Sequence, residues 1–192
     1  MNETKLKKLV IGLRCFVSLE IPAEAKQKIG ELSAKAKALG LHATFTSPEE
    51  WHVTLAFLGE ITESKAAETA AKLRGALQGM KPLALKLKGA GFFPSEQRIN
   101  VFWTGVQGSG LNELRQAIAK AVGVQGKEKN FTAHVTICRV KGRENLALLR
   151  ALQKEYAEKE LAEFTADKVA LKKSTLTPNR PVHEEIACFK LS

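Results

Sequence analysis

Two of the chain's four histidines stand in the same setting, His52-Val53-Thr54-Leu55 and His134-Val135-Thr136-Ile137. Successive side chains of an extended strand point to opposite faces. His52 and Thr54 therefore share one face while Val53 and Leu55 share the other, and the same holds for His134 and Thr136 against Val135 and Ile137. Each strand can bury its aliphatic pair in a core and present an imidazole beside a hydroxyl. One such match is within chance for so short a pattern. Two matches with the same intervening Val and an apolar continuation read as a half-site written twice.

Two imidazoles facing each other suit general acid and base catalysis. An ordinary histidine pKa near 6.5 lets one ring be neutral while the other is protonated. A five-membered cyclic phosphodiester is a natural substrate: the neutral ring takes a proton from water and the protonated ring gives one to the departing ribose oxygen. The threonine hydroxyls hold the non-bridging oxygens as charge builds on them. No cofactor is required. No Cys-x-x-Cys, His-rich cluster or paired-histidine helix suggests a metal, and neither a P-loop nor a Gly-x-Gly-x-x-Gly turn is present.

The intervening chain supplies the frame. A strand is predicted over Arg14 to Leu19, then a helix from Pro22 to Leu39 with Ala25, Ile29, Leu32 and Ala36 at helical spacing and Gly40 just past its end. A short strand at Ala43 to Phe45 precedes the first motif strand, which is expected to stop at Gly59. Further helices are predicted over Glu63 to Leu77, Gly110 to Val122 and Glu144 to Tyr156 or beyond. Strands are predicted over Leu83 to Leu87, Ile99 to Thr104, Phe131 to Arg139, Lys168 to Ser174 and Val182 to Leu191, with Gly89 to Pro94 a loop, Gly123 to Asn130 a polar connector and Thr177 to Pro181 a hairpin-like turn. There is no regular strand-helix-strand period, so mixed, mostly antiparallel α+β is the expected class. The two motifs lie 82 residues apart, room for one small sheet each, the two halves facing across a groove.

With 192 residues and 44% apolar content the chain suits a single domain, 1–192, with 1–13 a short basic extension. A net charge of +10 favours a polyanionic partner without specifying one. Cys15, Cys138 and Cys188 are odd in number, widely spaced and set in apolar runs, which points to reduced core residues of a cytoplasmic protein. No segment approaches transmembrane length, and the apolar run Leu9 to Leu13 is too short for a secretion signal.

The paired motifs resemble the His-x-Thr-x motifs of the two-histidine (2H) phosphoesterase superfamily. The wider sequence is similar to its RNA 2′,3′-cyclic phosphodiesterase branch, grouped with 2′-5′ RNA ligases. Carrying the likeness are the opening Arg14 to Pro22, the block Pro48 to Gly59, Gly91-Phe92-Phe93-Pro94, Val101-Phe102-Trp103, His134 to Val140 and the closing Leu171 to Ser174. The resemblance implies a bilobal α+β fold, two mostly antiparallel sheets facing across a central groove with helices packed on the outer faces. It also implies hydrolysis of RNA 2′,3′-cyclic phosphate ends, tRNA fragments among them, to 2′-phosphates, together with a reverse 2′-5′ joining reaction. His52 would be proton donor and His134 acceptor, Thr54 and Thr136 would bind phosphate, and no metal, cofactor or membrane would take part in a monomeric protein. Arg139 is similar to an arginine that meets substrate phosphate, although strict alternation puts it on the face opposite His134 unless the strand bulges.

Three departures are visible: Ala133 where a proline often precedes the second motif histidine, Ala56 where many relatives carry lysine, and His183 where an aromatic such as tyrosine is usual. Of Phe16, Trp51, Phe57 and Phe131, all able to stack a base, three are expected in the core. His42 and His183 are expected to be a loop residue and a partly buried strand-end residue. Rival readings are a related enzyme for a small cyclic nucleotide or oligoadenylate, and an RNA-binding module that keeps the groove without turnover.

Overall fold

The computed structural model describes residues 12–124, 131–177 and 181–192. Nine strands and four α-helices follow one another along these residues: β1 (Leu13–Glu20), α1 (Ala23–Ala38), β2 (Ala43–Phe45), β3 (His52–Ile61), α2 (Glu63–Leu77), β4 (Leu83–Pro94), β5 (Ile99–Gln107), α3 (Leu111–Val122), β6 (His134–Val140), α4 (Leu146–Tyr156), β7 (Glu160–Ala166), β8 (Lys168–Leu176) and β9 (Pro181–Lys190).

The helices form where apolar residues recur every three or four positions and a turn residue closes each end. In α1, Ala25, Ile29, Leu32 and Ala36 make one buried stripe, and Gly40 at φ 65° closes the end. The Thr62 side chain caps α2 by accepting the Lys65 amide at 3.1 Å. Asn145 precedes α4 and donates through Nδ2 to the Leu39 carbonyl at 2.8 Å, tying the end of α1 to the start of α4.

The strands form two sheets in which every neighbour is antiparallel. One has the order β3-β1-β8-β9, the other β2-β6-β5-β4-β7. The helices are exchanged between them: α1, which follows a strand of the first sheet, packs on β6 and β7 of the second, while α3, which follows β5, packs on β3 beside α2. The exchange joins the lobes through one continuous core, from Val17 and Leu19 to Phe102, Val135 and Leu149. The motif strands β3 and β6 lie against each other where the sheets meet. The expected α+β architecture of two antiparallel sheets is thus observed.

Two stretches depart from the sequence reading. Gly89 to Pro94, expected to be a loop, continues β4. Its glycines answer close approaches: a Cβ on Gly91 would sit 2.3 Å from the Trp103 ring and one on Gly89, at φ 79°, 2.8 Å from the Ala157 carbonyl oxygen. Glycine here marks a place where another group crosses the strand, not a turn. The segment after α4, read as an extension of that helix, is instead the edge strand β7, held to β4 with Lys86 bridging Glu160 and Glu163. The second motif strand starts at His134, three residues later than expected. Residues 125–130 of the predicted connector and 178–180 of the predicted turn lie outside the described residues.

Candidate active site

The bends that deliver the histidines are set by the residues before them. Pro48–Glu50 form a single 3-10 turn, and Trp51 is buried beneath α1, its ring 3.7 Å from where a Cβ on Gly30 would lie. His52 then emerges with its Nδ1 2.6 Å from the Glu50 carbonyl oxygen, and His134 with its Nδ1 2.8 Å from the Thr132 carbonyl oxygen. A carbonyl only accepts, so in both rings the proton sits on Nδ1 and the neutral imidazole carries its lone pair on Nε2. His52 Nε2 lies 3.2 Å from Thr54 Oγ1, whose hydroxyl donates to it. Both histidines are thus fixed through Nδ1 by the carbonyl two residues upstream.

Each motif strand carries a bulge directly after its threonine. On β3, Thr54 pairs with Ser18 and Ala56 with Val17, so Leu55 is the extra residue. On β6, Thr136 pairs with Trp103 and Cys138 with Phe102, so Ile137 is extra. Two consecutive buried residues follow in each strand, Leu55 with Ala56 and Ile137 with Cys138. The alternation slips by one, and the residue five after the histidine returns to the histidine's face. That residue is Phe57 in the first copy and Arg139 in the second. The strict alternation that would send Arg139 away is therefore broken, and Arg139 is exposed on the side of His134 and Thr136.

The two imidazoles sense each other across the sheets, for a charge on His134 lowers the pKa of His52. Burial is the largest cause of that lowering, with the Lys172 ammonium and His183 next, and together they push His52 down to about 3. His52 is neutral in the unliganded protein. Lys172 is only 7% exposed; its Nζ lies 2.8 Å from Glu20 Oε2, and Ser18 Oγ donates to Glu20 Oε1 at 2.8 Å. Aromatic rings wall both histidines: Phe16 stacks on His52 at 5.0 Å between centroids, while Phe93 meets His134 edge-on at 4.8 Å with Trp103 at 6.1 Å.

His183 was expected to be a strand-end residue. It lies 5.3 Å from the His52 ring and 4.9 Å from Phe16, edge-on to both. Neither it nor the Glu20–Lys172 pair was singled out for the site by sequence reasoning; the departure of His183 from tyrosine was the one available signal. His42 is a loop residue whose carbonyl accepts from the Lys141 amide, as expected. Phe16 and Trp51 are buried and Phe131 is partly buried with Arg115 over its ring, whereas Phe57 is 60% exposed. Burial raises the thiol pKa of all three cysteines, that of Cys138 to about 12, so none is a ready thiolate. Cys188 is exposed rather than in the core. Among the described residues no cluster of His, Cys, Asp and Glu could hold a metal ion, and no helix is long and apolar enough to cross a membrane.

His52 with Thr54 and His134 with Thr136 stand on motif strands of two antiparallel sheets that lie against each other, an arrangement that fits a two-histidine phosphoesterase, and the comparisons agree on the class. The family model for LigT-like phosphoesterases matches residues 19–103 and 106–183, and the chain belongs to that family. It is 33% identical to an RNA 2′,3′-cyclic phosphodiesterase of Methanocaldococcus jannaschii over 91% of this chain and 98% of the relative. A protein of the same description from Aquifex aeolicus is 33% identical over 93% and 97%. Among solved structures, a Thermus thermophilus protein superposes with a TM-score of 0.77 at 23% identity, covering 93% of this chain and 98% of that one.

Proposed function

We propose that this protein hydrolyses RNA 2′,3′-cyclic phosphate ends to 2′-phosphates by metal-free acid–base catalysis between His52 and His134. The observation that carries the reading is the pair of imidazoles, brought from two different sheets within electrostatic influence of each other, each with Nδ1 held by the carbonyl two residues upstream. The names of the curated relatives supply the substrate class.

In this reading water attacks phosphorus and gives its proton to His134 Nε2. The P–O3′ bond breaks, and the departing O3′ takes a proton from His52, leaving the phosphate on O2′. Thr54 and Thr136 donate to the non-bridging oxygens, and Arg139, brought round by the bulge, neutralises their charge. His52 is neutral before substrate arrives, so as donor it must acquire its proton together with the anionic phosphate. A 5′-hydroxyl in place of water would make a 2′-5′ linkage by the same proton transfers. We read the chain as one bilobal domain working as a cytoplasmic monomer, on RNA ends such as those of tRNA fragments.

The test is an oligonucleotide with a 2′,3′-cyclic phosphate terminus, incubated with the protein in EDTA while release of the 2′-phosphate end is followed. Turnover is expected in chelator and is expected to be lost about 100-fold or more in His52→Ala and in His134→Ala, each of which removes one proton-transfer group. Undiminished turnover in both variants, or a strict need for divalent metal, would overturn the mechanism. Turnover of mononucleoside cyclic phosphates without RNA ends would move the substrate to the smaller class.

A further inference from the structure

The face of the second sheet that carries His134 is positively charged towards both ends, and only one end is neutralised. On β5, Phe102, Thr104 and Val106 are buried, so Trp103, Gly105 and Gln107 look the other way, and His134 pairs with Gly105 on that outward face. Lys86 of β4 pairs with Gln107, and its ammonium lies 3.0 Å from Glu160 and 2.6 Å from Glu163 of β7. Beyond His134 and Thr136, in the opposite direction, stands Arg139, paired with Val101 of β5 and Thr44 of β2. Lys141 follows. Val140 between them packs against the core, so Lys141 points as Arg139 does. The Lys141 amide donates to the His42 carbonyl at 2.8 Å, which carries the ladder between β2 and β6 one step past the strand end.

No carboxylate on these strands answers the two cations. The contiguous strands β2, β6, β5 and β4 hold no aspartate or glutamate, although the chain has 20 acidic residues. Glu144, the nearest acid to Lys141 along the chain, lies over Gly142 beside His42. Arg139 and Lys141 are both exposed and form no ion pair among the described residues. Two like charges side by side repel, and a polyanion laid along them removes that repulsion while releasing its counterions. Residues two apart on one face of a strand stand about 7 Å from each other. Successive phosphates of an extended ribonucleotide chain are similarly spaced.

We propose that Lys141 binds the phosphodiester on the 5′ side of the terminal nucleoside, so that the RNA chain leaves the site over the end of β6. The inference rests on the proposed function, which puts the terminal phosphate at His52 and His134 with Arg139 beside it. It deepens that reading by naming the residue that distinguishes an RNA end from a lone nucleotide: a mononucleoside 2′,3′-cyclic phosphate has a 5′-hydroxyl and nothing for Lys141 to hold.

The experiment compares wild type, Lys141→Ala, Lys141→Arg and Lys86→Ala on two substrates, an RNA oligonucleotide with a 2′,3′-cyclic terminus and adenosine 2′,3′-cyclic monophosphate. K141A is expected to lower kcat/KM for the oligonucleotide about fivefold, as for one exposed charge pair, and to leave the mononucleotide unchanged. K141R is expected to restore the oligonucleotide, and K86A, at the neutralised end of the face, to alter neither. Fluorescence anisotropy with an oligonucleotide ending in a 2′-phosphate gives a second readout. In K141A the slope of log affinity against log salt is expected to flatten by about 0.7, the share of one phosphate on a single strand. Unchanged oligonucleotide kinetics in K141A, an equal loss on both substrates, or the same loss in K86A would overturn the proposal. A wild-type protein that turns over neither substrate would sink the proposed activity alone. Anisotropy then decides for Lys141: equal affinity in K141A and wild type, or no binding by wild type, overturns the path over β6.

Discussion

Replacing His52 with glutamine should make the protein less sensitive to acid. In the fold His52 is held neutral, its pKa lowered from 6.5 to about 3, chiefly by burial and then by Lys172 and His183. The unfolded chain has no such environment, so its histidine titrates near 6.5. Below that value the unfolded state binds a proton that the native state refuses, and the equilibrium tilts toward unfolding. The contribution of His52 is therefore fully present above pH 6.5 and is lost as pH falls from 6.5 toward 3. At pH 4.5, below the unfolded pKa and still above the native one, the loss is about 3 kcal/mol. This is a large share of the roughly 5–15 kcal/mol of a typical domain. Glutamine does not titrate, so its stability lacks this component, while the carboxylates, His134 and His183 remain in both proteins. Urea unfolding at pH 7.5, 5.5 and 4.5 should show the difference between wild type and H52Q moving by about 3 kcal/mol in favour of the variant across that range. A difference that stays constant with pH would refute the reasoning, for it would mean that the imidazole accepts its proton as readily in the fold as outside it.

Glu20→Gln removes the carboxylate from a Lys172 that is almost fully enclosed. It should destabilise by about 2–3 kcal/mol in urea unfolding, and Glu20→Gln combined with Lys172→Met should regain most of the loss, because the cost is that of an unpaired buried charge. If His52 acquires its proton with the substrate, calorimetry of adenosine 2′-monophosphate binding at pH 7.5 in buffers of different ionisation enthalpy should report uptake of about one proton, reduced in H52Q. Absence of uptake would reverse the donor and acceptor roles. Under the proposed function, Arg139→Ala should weaken phosphate binding about tenfold or more with little change in thermal stability, since the side chain is exposed. An unchanged KM would remove Arg139 from the phosphate site.

Much of the architecture was legible along the chain because its signals are local. The stripe of Ala25, Ile29, Leu32 and Ala36 is a property of one helix, and the bounds of α2 follow from its Thr62 cap and its apolar spacing. The motif strands were readable because alternation binds His52 to Thr54 and His134 to Thr136 at two-residue range. The strand β7 was not, because Glu160–Ala166 lies at an edge where charge alternates with partial burial and resembles a helix surface. Gly89 and Gly91 misled because a glycine required by a crossing Trp103 looks the same in sequence as one required by a turn.

What the sequence by itself determined is the repeated pairing of an imidazole with a hydroxyl and the class of chemistry two such pairs permit. Tertiary structure decided which further side chains join them. Arg139 reaches the face of His134 because β6 slips against β5 at Ile137, a register that belongs to two strands and to neither alone. Lys172 and Glu20 meet across 152 residues, and His183 reaches His52 only once β9 has paired with β8 and β8 with β1. Local periodicity says which way a side chain points from its own backbone; what it points at is settled by the packing of distant segments against one another.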